Sequence, residues 1–569
     1  MRGSAPFLSV ALLASLAGCT DNTYMIVTVD KRAAVHEASK LKVTLSNAGS
    51  MRTDDLDLAG HDFPVKFSLT APGRSGEIGI SIDALDTNGA LVGRGVGQAT
   101  LTDAEASVTL DSADFVVNNE YAGNQFLTND FEAVGIQISA ITSGTWMPVF
   151  RDDCTGTPPA CDIYGRRFDA AGLPVQSQLA AGTNQFKIST TLTSPGAIPT
   201  ITSSGITTMV FWDYFDTVGT GQGVACRAIN ESGAGTPAQL SISTESADVV
   251  TAAAIGNGNF AVTWQTFATN ETIHSMIVKQ DCTTLQTTPI NVSTTASTAG
   301  HRRSHVAANG TSLLYVWIND GSVKARPAMN NGTLTGSEVT PVLKTASMDV
   351  DHVRVVPYGT GYAVGVRWAN SVDSTLPGKI ELYKVDAMGN VLGMPTLITD
   401  KSASDFASDK GFSMAARMDG ALLVVWHNCP SGPGSCDVFG RVLRPTGVPV
   451  GEEFMIPTST GSDQVNPSVV ALSDSFVAAW NDSSQLDPDK SMSAVRARIL
   501  YPPYDDARSV LGATCGATAP GSPTCGTGLA CGNGSDQVQR CYEVCTPGPG
   551  ACPHGGTCST VDSGSACTF

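Results

Sequence analysis

From about residue 115 to residue 500 the chain alternates short apolar runs with clusters of Gly, Pro, Asn and Asp, and the alternation has a long period. Residues 436–480 show one full copy. There DVFGRVL, EEFMIP, PSVVAL and SFVAAW are rich in Val, Ile and Phe and bounded by turn formers, and each predicts a strand. The run that ends the copy recurs with an aromatic residue in one register: Trp212, Trp264, Trp317, Trp368, Trp426 and Trp480, at spacings of 51 to 58 residues. TWMPVFRDD adds an earlier copy with Phe150 in that place. These runs are apolar on both faces, which predicts strands in the middle of a sheet covered on both sides. The seven aromatic residues are expected as core anchors of the repeat.

Four short strands repeated at this period are the signature of a β-propeller. One such sheet cannot bury both faces alone, and stacking on its neighbours buries them. Seven copies predict a seven-bladed propeller over residues 112–503 of an all-β chain. The last copy stops one strand short, at SAVRARIL. The missing strand stands upstream, where DFVVNNEYAGNQ (114–125) aligns without a gap to EFMIPTSTGSDQ (453–464). The segment 112–118 is therefore expected to pair beside 493–500 and close the ring, which removes the open edges of a linear array.

Residues 19–111 read differently. YMIVTV, KLKVTL, FPVKFSL, EIGISIDAL and ASVTL alternate with period two, and APGRSG and DTNG are turns. Antiparallel strands at this density predict an N-terminal β-sandwich, immunoglobulin-like or transthyretin-like. Its expected role is a stalk.

Composition narrows the partners. Lys plus Arg number 34 against 52 Asp plus Glu, a net charge of −18, which argues against nucleic acid. Charged residues are only 15%, with 58 Gly, as expected of turn-rich exported material. The N-terminus supports export. After MRG comes APFLSVALLASLA, an apolar stretch too short to span a membrane comfortably, and then Leu16-Ala17-Gly18-Cys19. This tetrapeptide resembles the lipobox of bacterial lipoproteins. The resemblance implies a signal peptide over 1–18, a lipid on Cys19 and anchorage to the cell envelope, the outer membrane in particular.

Fourteen Cys remain, an even number in an oxidising compartment. Cys154 with Cys161 and Cys429 with Cys436 are both C-x6-C, at the same repeat position, and run into the matching texts CDIYGR and CDVFGR. Each pair is expected to form a disulfide at the mouth of a loop. Cys226 and Cys282 sit in adjacent units at non-equivalent positions, and their pairing stays open. After a linker at 504–514, residues 515–569 hold Cys515, Cys525, Cys531, Cys541, Cys545, Cys552, Cys558 and Cys567. A module this small replaces a core with disulfides. Its second half, with CPHGGTC, looks like an EGF-like knot, though it lacks the closely spaced last C-x-C.

No catalytic constellation stands out: there is no G-x-S-x-G, H-E-x-x-H or phosphate loop. His301 and His305 fall on a predicted strand, about 13 Å apart, too far for one metal. The loops after the aromatic strands vary in length and carry acids and amides. A calcium or sugar site could be built from them, with Asp482, Asp487 and Asp489 the best metal candidates, and turn capping accounts for such residues as well. No cofactor is expected. The layout of lipobox, sandwich, degenerate propeller and Cys-rich tail resembles surface lipoproteins of Gram-negative bacteria. That resemblance implies a non-catalytic binding, adhesion or scaffolding module, with a protein or polysaccharide partner on the variable loop face. A glycan- or polymer-active propeller enzyme and a purely structural envelope protein are the alternatives.

Overall fold

The structure is a computed structural model. It describes residues 7–10, 24–47, 50–58, 60–118, 137–141, 144–155, 160–175, 185–190, 199–205, 207–215, 222–229, 240–266, 271–294, 301–370, 378–400, 411–429, 434, 436–459, 461–486, 489, 493–501, 529–533, 539–543, 557–561 and 564–568. Two compact units divide the chain. The first is 1–447 with 453–500, and the second is 448–452 with 501–569.

The first unit opens with an eight-stranded mixed sheet. Its strands alternate buried and half-buried residues, as in Tyr24–Lys31, Val65–Thr70 and Glu77–Leu85. The sheet curls so that its two halves share one core, with Val27, Phe67 and Val108 from one half and Leu41, Val43 and Ile82 from the other. The halves are joined through Leu91–Thr100 and Glu105–Ser112, which pair only at Gly93 with Ser112 and Arg94 with Asp111. Hence the two layers expected of a sandwich belong to one continuous sheet. Phe7–Val10, within the predicted signal segment, lies parallel to Val65–Thr70.

Among the described residues seven four-stranded antiparallel sheets follow, six of them in sequence order. Their first strands neighbour one another in turn, and the first strand of blade 1 (Gln137–Ile141) also touches that of blade 7 (Gln464–Ala471), so the sheets make a ring. The seventh sheet is completed by Phe115–Val116, antiparallel to Ala494–Leu500 with Val116 opposite Arg496. This is the closure that the upstream half-repeat predicts.

The aromatic strands run through the middle of each blade. Phe150, Trp212, Trp264, Trp317, Trp426 and Trp480 are at most 1% exposed, and Trp368 is 5% exposed. Each cluster joins two blades: Trp212 packs with Met147, Val149 and Ile188 of blade 1, and Trp426 with Ile380, Leu382 and Ile398 of blade 5. In five blades an arginine two residues past the aromatic's cross-strand partner adds a polar link. Arg166, Arg227, Arg326, Arg441 and Arg498 donate to the carbonyls of Val117, Ile188, Val292, Ile398 and Ile456 on the preceding blade. In blades 3 and 5 that place is taken by Met276 and Glu381, the latter accepting from the Trp368 indole at 2.8 Å.

Two disulfides are described. Cys429–Cys436 closes the short loop of blade 6. Cys226–Cys282, with Cα atoms 5.9 Å apart, ties blade 2 to blade 3. The side chains of Cys154 and Cys161 lie outside the described residues. In the second unit, Leu529–Asn533 pairs with Gln539–Glu543, and Thr557–Val561 with Gly564–Thr568. The connectivity of its eight Cys, and Cys19, also lie outside the described residues.

Candidate functional site

The ring gives its two rims different chemistry. In an up-and-down blade the turns between strands one and two, and three and four, leave one rim; the other connections leave the opposite rim. The first rim is occupied. The N-terminal sheet runs into the ring there: Ser112 donates to the Ile499 carbonyl at 3.1 Å, Arg498 donates back to the Ser112 carbonyl at 2.9 Å, and the His36 ring meets the Ala171 carbonyl at 2.7 Å.

The opposite rim carries the unequal connections. Blade 4 shows the minimum the fold needs. Asn319 pairs with Ser322, and the chain turns on Asp320 (φ 48°) and Gly321 (φ 69°) alone. Positive φ at both central residues matches the twist of the flanking strands, which makes this a favoured two-residue hairpin. The equivalent connections elsewhere are longer, as between Phe215 and Gln222, Asn370 and Lys379, or Asp482 and Ala494.

Beneath this rim the first strands bulge. Val249, Arg303 and Asn466 have φ of 49°, 56° and 54°, at matching register breaks in blades 3, 4 and 7. A β-branched or long side chain rarely takes this conformation, and such strain concentrates where side chains are re-aimed for function.

First strands of six blades bound a cavity of about 160 Å³ at the centre of the ring. Its polar wall is Gln137, His305, Arg354, Ser413, Asn466 and Ser468, and no acid is among its described lining residues. Arg354 is 8% exposed and donates Nη1 to the Val353 carbonyl at 3.0 Å. Burial, and then the Arg303 guanidinium, push its pKa down to about 9, so it stays charged at neutral pH. The buried Nε2 of His305 has no hydrogen-bond partner. Burial, and then Arg354, hold this imidazole well below its ordinary pKa, hence neutral.

A second polar group lies between blades 4 and 5. Arg367 Nε donates to Asp351 at 2.9 Å, and Arg303 contacts His352. Although burial favours a neutral Asp351, Arg367 and then His352 outweigh it and hold the carboxyl far below the usual range. These groups satisfy one another.

The candidate metal residues are separated in fate. Asp482 accepts from Gln464 at 3.0 Å and from Arg496 at 2.7 Å, and Asp489 accepts from Asn118 at 2.7 Å. Both serve the closure of blade 7. Asp487 lies outside the described residues. Among the described residues no group of three His, Cys, Asp or Glu is placed to hold a metal. His301's side chain is not described, and His305 faces the cavity. Sequence reasoning missed Arg354. The signal was a lone charge in the apolar run HVRVVPY.

No family model matches the chain, and no curated protein matches it. Solved structures similar to it include the NanB sialidase of Streptococcus pneumoniae, 10% identical with TM-score 0.35, over 84% of this chain and 94% of that one. The phage phi92 endosialidase is 9% identical with TM-score 0.37, over 73% of each chain. A point mutant of the α-L-arabinofuranosidase arb93a of Fusarium graminearum, in complex with an iminosugar inhibitor, is 8% identical with TM-score 0.37, over 64% of this chain and 92% of that one. Likeness at this level says nothing of what this chain binds.

Proposed function

We propose that this is a lipid-anchored protein of the bacterial envelope whose propeller is a non-catalytic binding module for a protein or polysaccharide. The observation that carries the reading is the two-residue turn of blade 4. A blade of this ring needs no more than Asp320 and Gly321 at that edge, so the added length of the connections between 215 and 222 and between 370 and 379 is available for binding. They emerge opposite the rim that meets the N-terminal sheet. Lipid on Cys19, export to the outer membrane and an EGF-like second unit complete the proposal, with the N-terminal sheet as the stalk.

Shortening residues 216–221 to Asn-Gly tests it. The variant keeps the wild-type melting temperature and loses partners captured by crosslinking on intact cells. Unchanged capture after all the long connections of this rim are shortened singly sinks the reading. Labelling with a clickable fatty acid, lost in Cys19→Ser, tests the anchor.

A second reading, that the propeller acts on a glycan or other polymer, is favoured by one observation. A neutral imidazole with a free nitrogen beside a buried arginine can accept a proton next to a developing negative charge. Turnover of polymer that is abolished in His305→Gln decides for it.

A further inference from the structure

We propose that the cavity at the centre of the ring binds a small oxyanion, of the phosphate or sulfate class, on Arg354 and His305. This goes beyond the rim's role in partner binding and stands independently of it. A buried guanidinium normally has an acid beside it, because desolvating a charge without a counter-charge costs several kcal/mol. The chain supplies such acids elsewhere: Arg367 has Asp351, and Arg496 has Asp482 and Asp114. Arg354 has no acidic partner among the described residues, in a protein whose net charge is −18. Its neighbour His305 leaves a buried ring nitrogen without a hydrogen-bond partner. A guanidinium without an acidic partner and a ring nitrogen without a hydrogen bond, on adjacent blades, thus face one cavity, whose wall adds the hydroxyl of Ser413 and the amide of Asn466.

An oxyanion answers each of these. It neutralises Arg354, whose planar fork suits two oxygens of one group, and it accepts an N–H from His305. The volume of about 160 Å³ leaves room for the anion and several waters. The bulges at Arg303 and Asn466 lie on two of the strands that line the cavity.

The test uses the purified full chain at constant ionic strength, titrated with inorganic phosphate, inorganic sulfate or chloride, and with dextran sulfate as a polymer-borne source. Phosphate or sulfate is expected to raise Tm saturably, and calorimetry to show one site. Arg354→Met is expected to weaken binding roughly ten- to a hundredfold, the loss of a charge-assisted contact. Without anion, the same variant melts no lower than wild type, because it removes an unpaired buried charge. His305→Asn keeps the fold and weakens binding less. Saturable binding of dextran sulfate alone, lost in Arg354→Met, supports the site and assigns its anion to a polymer. A shift of equal size in wild type and both variants overturns the proposal, as does the absence of any anion-dependent shift in the wild type.

Discussion

The ring closure makes the sharpest energetic prediction, at Asp114. This residue precedes the short closing strand and is 8% exposed, and Arg496 is 4% exposed. Asp114 Oδ1 accepts from Arg496 Nη1 at 3.2 Å and from the Ser459 hydroxyl at 2.9 Å, and Oδ2 accepts from the Thr458 and Ser459 amides at 2.9 Å. One carboxylate thus ties the closing segment to blade 7 and to the chain that enters blade 7 from blade 6. Asp114→Ala takes the acceptor from two half-buried amides and removes one of the two carboxylates that meet Arg496. Breaking a buried pair of this kind costs about 3–5 kcal/mol. Asp83 and Arg94 supply the contrast. They are closer, at 2.6 Å, but the side chains are 25% and 45% exposed, so water screens the pair and Asp83→Ala is expected to cost under about 1 kcal/mol. Urea unfolding of both variants measures the difference as a change in midpoint at constant slope. Equal midpoints for the two variants, or an Asp114→Ala loss within about 0.5 kcal/mol, the usual range for surface substitutions, refute the reasoning.

Three further expectations follow from the same contacts. Replacing Cys226 and Cys282 together by Ala is expected to cost about 4 kcal/mol, since the link spans 56 residues; the same change at Cys429 and Cys436, separated by 7, costs about 2 kcal/mol, and matched urea curves distinguish them. Burial holds the pKa values of His305 and His352 well below the ordinary value, so the unfolded chain takes up protons below about pH 6.5 that the fold refuses; stability is full above that pH and falls as pH drops to 5, by up to about 1.4 kcal/mol per unit for each ring. His305→Gln flattens this slope, and equal unfolding midpoints for the wild type at pH 7.5 and pH 5 contradict the assignment. Trp480→Ala removes a fully buried ring and is expected to cost about 3–5 kcal/mol, whereas Arg441→Met removes one charge-assisted bond between blades and costs about 1.5–3 kcal/mol; the reverse order in melting experiments speaks against the aromatic residues as the main inter-blade contact.

Local chemistry carried much of the architecture. The aromatic register of Phe150 through Trp480 required strands covered on both faces, and hydrophobic burial acts on each run wherever it sits, so the blade count could be read directly. The half-repeat at Asp114–Val116 announced the ring because an open sheet edge leaves backbone groups unpaired. Other features depended on which residues meet across blades, and no local pattern states that. Cys226 and Cys282 occupy non-equivalent places in their repeats, and only the stacking of blades 2 and 3 brings their Cα atoms to 5.9 Å. The arginine of D-[IV]-[YF]-G-R was legible as a motif, but its acceptor is a carbonyl of the preceding blade, a partner that exists only once the ring is stacked. Asp482 and Asp489 looked like loop acids until the fold placed Arg496 and Asn118 against them. Arg354 was visible as one charge in an apolar run. Only the convergence of six first strands showed that it faces a cavity, with no acid among the described residues to meet it.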